Sequence, residues 1–426
     1  MQRATAWCVV VMTCGVLGCA GSTLQTQVQQ QVERGEYAAA LQLYERDGRD
    51  ASVLRAFSES LLLEAARSSD PAQHRSAFVE LGLLGRRADG LLEQLAEPAE
   101  PGLVRAEALR ILTALGDGGA RSELRSLLAN PDADVVDRAY SALDPEHDRA
   151  LLVPALAGPR LPRRRAALQC LGRTDTSYFD ALREVARLDP DPPLRAAALS
   201  ALERYGRAAL PPLEAAFTDP DEQVRATALA GFARVAAPED LVRIDGKLGS
   251  GSNTESVALA GALLHAQTPH DAERAWAVLR AGLSALDPAL RARSTSALFG
   301  LPLAPADRAL VHQRLASEHV PGLKLLLALV LDDEDDAARV ALRELSQSAD
   351  LTGVEAAAQL AKHAPDAGQA KARLHALRTH TSPLVRASVA RQLGRELGEP
   401  AAVASLLADP TWQVRHAAAG AVLRAL

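Results

Sequence analysis

The chain has 426 residues, of which 48% are hydrophobic and only 3% aromatic, and its formal net charge is -6. That composition supplies ample core but confines it to Ala, Leu and Val, and the acidic balance with no long basic run speaks against nucleic acid as a partner. The basic residues are almost all Arg, with Lys247, Lys324, Lys362 and Lys371 the only lysines. Arg tolerates partial burial and bidentate pairing better than Lys does.

Residues 1–18 read as an export signal: Arg3 gives a weak positive start, and Ala6–Leu17 is an apolar run too short to span a bilayer. Val16-Leu17-Gly18-Cys19 resembles the lipobox of bacterial lipoproteins. The resemblance implies cleavage before Cys19, a lipid on Cys19, and a short tether completing residues 19–23. Ala20 stands where Asp would imply retention at the inner membrane of a Gram-negative cell, so the resemblance leans towards the outer membrane. An ordinary secretory signal with an incidental Cys19 is the alternative. Cys8 and Cys14 fall in the removed segment, which leaves Cys170 with no partner for an intramolecular disulfide. Within RRRAALQCLGR, Cys170 reads as a small core residue rather than a nucleophile.

Residues 24–70 predict a helical cap, with helices over Leu24–Glu33, Tyr37–Arg46 and Ala51–Arg67 separated at Gly35 and Asp47-Gly48. The spacing of Gly35, Tyr37, Ala40 and Tyr44 resembles part of a tetratricopeptide repeat. A cap shielding the first repeat and a dedicated peptide groove are the two readings of that segment.

Residues 71–426 are a tandem repeat. Asp221–Val235 reads DEQVRATALAGFARV, and Asp191–Tyr205 returns as DPPLRAAALSALERY. Apolar residues three or four apart place one face of a helix against the core. The equivalent positions Arg105, Val136, Arg164, Arg195, Arg225, Glu255, Arg291, Lys324, Glu355, Arg386 and Arg415 recur at intervals of 28 to 36 residues, close to 31 for most. Four residues before the marker stand Asp132, Asp191, Asp221, Asp287, Ser382 and Thr411, which predict helix N-caps. Pro192, Pro288 and Pro383 follow at a position where a missing N–H costs nothing. A shorter apolar helix precedes each cap, as at Ser122–Leu128, Phe179–Leu188, Ala272–Leu286 and Ala337–Leu345, so each unit is a helix pair.

The Asp-Pro turn followed by Val-Arg and Ala-Leu resembles the HEAT-repeat family, in particular its short bacterial variety first recognised in phycobilisome lyases. It implies an all-α, right-handed alpha-alpha superhelix of about a dozen helix pairs, a curved body on the order of 100 Å long. By the same resemblance Arg105, Arg195, Arg225, Arg291, Arg386 and Arg415 form a structural ladder to turn carboxylates, interrupted at Val136, Glu255 and Glu355.

No metalloprotease, nucleophile-elbow, phosphate-loop, zinc or EF-hand motif stands in the sequence. His375 and His380 flank a predicted helix end and do not share a face, so no metal site is assigned. Two charge clusters are candidate partner contacts: Asp332, Asp333, Glu334, Asp335 and Asp336, for a cation or a basic partner, and Arg160, Arg163 and Arg165, for anionic headgroups or an acidic partner. Solvated turns are the ordinary reading of both. The last helix, ending HAAAGAVLRAL, has no polar cap after it and reads as a benign Ala-rich edge, the alternative being that it docks on something.

These readings converge on a non-enzymatic protein-interaction scaffold or adaptor without cofactor. Its expected partners are one or more envelope proteins, bound through successive second helices, and a membrane reached through Cys19. The alternative is a HEAT-type accessory, a lyase-like chaperone holding an enzyme or prosthetic group, for which Tyr, His and acidic residues clustered in one groove would speak. A purely structural envelope spacer is a third reading.

Overall fold

A computed structural model describes residues 24–46, 49–171, 178–244, 246–249, 251–266, 271–331, 334–363 and 365–426. The expected signal peptide, Cys19 and the tether lie outside the described residues. Helices account for nearly all regular structure, and no strand occurs among the described residues. No described helix is long and apolar enough to cross a membrane.

Helix starts follow local chemistry. Pro71, Pro192, Pro288, Pro305, Pro321, Pro383 and Pro400 open helices in the first turn, where the fixed φ of proline is already helical. Asp50, Asp70, Ser252 and Asp350 accept a backbone N–H as N-caps. The expected helix over Ser122–Leu128 instead runs over Gly118–Ser126 and tightens into a 3-10 turn at Leu127–Ala129.

The chain folds as two compact units, one formed by the chain up to Ala120 together with Arg343–Leu426, the other by Arg121–Leu342. In the second unit, the helix Glu222–Val235 packs between Pro192–Leu202 and Asn253–His265. Phe232, Leu229 and Ala228 are buried there. Small side chains set this packing: Ala226, Ala228, Ala260 and Ala198 are all fully covered, which lets the helix axes approach closely.

The first unit packs early and late helices of the described residues together. The last helix, Trp412–Ala425, packs on Pro383–Arg391 of the preceding repeat and also on Ala51–Ala66 and Pro71–Leu84. This corrects the expectation of an exposed Ala-rich edge, since Ala417, Ala418, Ala419 and Val422 are fully buried. The reason lies in side-chain size. Gly420 sits so close to the Pro71–Leu84 helix that a Cβ there would meet Glu80 Oε2 at 2.5 Å. Polar contacts frame the junction: Arg391 Nη2 donates to Glu80 Oε1 at 2.8 Å, Arg424 to Leu83 O at 2.8 Å and Arg55 to the Leu426 carbonyl at 3.2 Å. The Tyr37–Arg46 helix lies against the 3-10 turn Ala404–Ala408, so this part of the cap covers the last repeat.

Candidate functional site

Four of the marker arginines form rungs of one geometry. Arg195 donates from Nε and Nη2 to Asp219 at 2.9 and 2.7 Å, while its Nη1 donates to Asp189 O at 2.9 Å in its own turn. Arg386 repeats this with Asp409 at 2.6 and 2.8 Å and His380 O at 2.7 Å. Arg291 does so with Glu318 at 2.8 and 3.1 Å, and Arg164 with Asp189 at 2.9 and 3.3 Å. Each carboxylate is held in turn by a backbone N–H at the start of a helix, as Asp219 is by Asp221 N at 2.9 Å and Asp409 by Thr411 N at 2.9 Å. A rung therefore ties one turn to the next through a planar, bidentate ion pair. Burial, the largest single influence on Asp219, pushes its pKa up. The Arg195 hydrogen bond, the Asp221 N–H and the nearby Arg195 and Arg225 charges outweigh it and hold the carboxyl below its ordinary range.

One ladder expectation needs correction, at Arg105. Glu255 supplies no donor to a following turn, as expected, but its carboxylate accepts Arg225 Nε at 2.8 Å in place of a turn Asp and so keeps the preceding rung. Arg105 departs from the pattern, its Nε donating to Ala96 O at 3.0 Å. At Glu355, Gln359 and Gln392 donate at 2.9 and 3.0 Å, so an amide pair occupies that carboxylate. Arg415 keeps the own-turn half of the rung, with Nη1 to Asp409 O at 2.8 Å and Pro410 O at 3.2 Å.

Of the expected caps, Asp132, Asp221 and Asp287 accept backbone N–H groups at 2.8, 3.0 and 2.9 Å. Asp191, Ser382 and Thr411 make no side-chain cap bond. At Asp191, Pro192 and Pro193 carry no N–H, the Leu194 N–H goes to the Asp191 backbone carbonyl at 3.0 Å, and the side chain accepts Arg165 Nη2 at 3.4 Å instead. At Ser382 the backbone N–H is taken by His380 Nδ1 at 3.1 Å, and at Thr411 by Asp409. The Asp-Pro turn aspartates that the resemblance assigns to the ladder, Asp189, Asp219 and Asp409, also take the backbone N–H two residues on, at 2.8, 2.9 and 2.9 Å.

The charged clusters are largely engaged within the fold. Arg160 and Arg163 both bond the buried Asp137, at 2.7 and 2.8 Å, and Arg165 reaches Asp191 at 3.4 Å. The basic patch is thus paired with Asp137 of the helix Ala133–Ala139 and with Asp191. In the acidic run, Asp332 and Asp333 lie outside the described residues, and Glu334 is exposed. Asp335 accepts His312 Nε2 at 2.7 Å and caps Ala337 N at 3.0 Å, and Asp336 pairs with Arg339. His375 bonds Glu399 at 2.8 Å, and no cluster of three or more metal-ligating side chains occurs among the described residues. Cys170 is buried.

Two open cavities flank the helix Phe179–Leu188. The first, about 600 Å³, is walled by Val153, Leu156, Val185 and Leu188, with the Arg164–Asp189 rung at its end. The second, about 430 Å³, is walled by Phe179, Ala186, Pro211, Pro212 and Ala215, with Asp219 and Pro220 at its end. Both are mostly apolar grooves, with Glu184 also lining the first and Arg183 and Arg187 the second, a composition suited to binding a side chain or short segment. They run between consecutive first helices of the repeats. Leu188 contributes an exposed large apolar side chain to the first groove.

Residues 149–233, which contain both grooves and two rungs of the ladder, match the sequence profile of HEAT repeats. Together with the helix-pair architecture this makes the protein an all-α, HEAT-like solenoid. None of the curated proteins matches the chain.

Proposed function

We propose that the chain is a non-enzymatic protein-interaction scaffold, held at a bacterial envelope membrane by a lipid on Cys19 and engaging envelope proteins through the grooves beside Phe179–Leu188. The observation that carries the reading is the pair of adjacent apolar grooves inside the segment that matches HEAT repeats. HEAT repeats are compatible with such a role, because stacked pairs build long surfaces on which successive grooves recur. The described residues lining the two grooves include neither Tyr nor His, whereas a lyase-like accessory would gather them in one place. The lipobox-like Val16-Leu17-Gly18-Cys19 supports the anchor, and Ala20 supports the outer membrane as its site.

Fractionation of tagged wild type and Cys19→Ala, each crosslinked in the cell, tests both halves. The reading expects the wild type in the outer-membrane fraction, the variant released, and a protein co-purifying stoichiometrically with the wild type. Fractionation indifferent to Cys19 would overturn the anchor. Co-purification of small molecules or pigments alone would overturn the scaffold.

A further inference from the structure

The second groove carries available charge on one side only. Its apolar lining includes Phe179, whose ring is held edge-on by Tyr205 with centroids 5.3 Å apart. Arg183, Arg187 and Asp219 are the charged side chains that line it. Asp219 is already engaged inside the fold, by Arg195 at 2.9 and 2.7 Å and by Asp221 N at 2.9 Å. Arg183 and Arg187 are exposed, and each pairs with a carboxylate three residues earlier on its own helix, Asp180 at 3.0 Å and Glu184 at 3.1 Å. With side-chain exposures of 53% and 65% on the two arginines, such pairs are worth little and exchange readily. Two guanidiniums thus stand one helical turn apart, about 6 Å along the axis, on the side formed by Phe179–Leu188. The facing side is lined by Ala208, Pro211, Pro212 and Ala215, which carry no charge. Glu214 of that helix is engaged by Arg243. Neither side offers an extended chain a row of backbone partners, because Phe179–Leu188 bonds its own backbone and Pro211 and Pro212 have no N–H.

We propose that the second groove takes an acidic amphipathic helix of a partner protein, its apolar stripe seated between Phe179 and the Pro211–Ala215 wall and two carboxylates four residues apart facing Arg183 and Arg187. The proposal rests on the scaffold reading and names the partner's chemistry at one of the two grooves. A helix closes its own backbone hydrogen bonds, so it can enter a groove that supplies none. Carboxylates at i and i+4 recur at the same spacing of about 6 Å as the two arginines, so both pairs form together. Ten residues of helix are about 15 Å long, which gives the contact two to three turns of the partner. The apolar stripe supplies most of the affinity, and the exposed charge pairs fix the orientation and exclude basic helices.

The probe is a fluorescein-labelled, capped helical peptide of about 15 residues, with a stripe of Leu and two Glu four apart beside it, titrated with the full-length protein and read by fluorescence anisotropy. A Kd of about 0.1 mM or tighter is expected. Replacing both Glu by Gln should weaken binding about fivefold, and replacing the Leu stripe by Ala should remove it. Charge reversal reads the opposite direction. Arg183→Glu combined with Arg187→Glu should bind the Glu peptide about tenfold more weakly than wild type does, and a Lys version of the peptide about tenfold more tightly, a gain that misfolding does not produce. A Kd weaker than about 0.1 mM for the Glu peptide would overturn the proposal. So would equal binding of the Glu and Gln peptides, binding that survives loss of the Leu stripe, or a double variant that still prefers Glu to Lys. Retention of the protein on phosphatidylglycerol vesicles that the double variant loses, without peptide binding, would reassign the two arginines to a lipid surface. A discrete protein crosslinked in the cell beside a failed peptide titration would overturn this chemistry alone and leave the scaffold reading standing.

Discussion

Replacing Arg195 with Met tests the ladder at its best-defined rung. Both partners are about nine-tenths covered, with side-chain exposures of 9% each, and the Arg195–Asp219 contact is bidentate with a closest approach of 2.7 Å. Met fills the space but supplies no donor, so Asp219 keeps only the Asp221 N–H and the Asp189 carbonyl loses its cation. Removing one partner of a covered, hydrogen-bonded pair costs about 3 kcal/mol. Because the rung ties two turns, that loss should appear as local opening of Pro192–Leu202 and Glu222–Val235. Amide hydrogen exchange in those helices should speed up about a hundredfold at neutral pH. Exchange within about twofold of wild type would refute the reasoning, since it would place the rung among surface pairs of little worth. The double variant Arg195→Met with Asp219→Leu should recover much of the loss, because two apolar side chains leave no buried charge behind.

The same rung predicts a pH dependence. Asp219 is held below its ordinary pKa when folded, so its stabilisation is present at neutral pH and is lost as pH falls below about 4 through the folded value; melting curves should show Arg195→Met less sensitive than wild type in that window. His416 acts over a higher range. Burial first, then the Arg415 charge, lower it to about 4 from 6.5, so stability should fall as pH drops from 6.5 towards 4, by up to about 3 kcal/mol. In His416→Leu that fall should be absent from thermal melts. Gly394→Ala places a Cβ 2.7 Å from the Ala421 carbonyl oxygen, where backbone cannot yield. It should lower stability by about 1–3 kcal/mol in urea titrations. Arg165→Ala removes a half-exposed contact at 3.4 Å and should shift stability by less than about 1 kcal/mol, measured the same way.

Much of the helix-pair fold was legible because its signals are local. The Val-Arg and Ala-Leu spacing around Arg225 is a helical period, and Asp-Pro strings are turn chemistry, so neither needs long-range information. Long-range consequences were not legible. Nothing near Ala417–Ala419 says that they meet Ala51–Ala66, because an alanine face is equally suited to solvent and to a close helix contact. Glu255 read as a break in the ladder because substitution of the marker was visible, whereas the reach of its side chain back to Arg225 was not. Asp191 fitted the cap rule by position, but two prolines leave only the Leu194 N–H in reach, and the Asp191 backbone carbonyl takes it. The charged runs misled for a related reason. Arg160 and Arg163 look like a patch in one dimension, and only the fold brings Asp137 between them. The grooves beside Phe179–Leu188 could not be read at all, since a cavity depends on the offset between neighbouring first helices.

A photo-crosslinking residue placed in the cell at Ala181, in the wall of the first groove, and at Pro212, in the second, tests the scaffold reading most directly. The reference position is Gln223, exposed on a second helix of the same segment. The account predicts the same discrete protein adduct from Ala181 and Pro212, and none from Gln223. An adduct from Gln223 alone would move binding to the second helices, and no protein adduct from any of the three positions would contradict the claim that this part of the solenoid is a protein-binding surface.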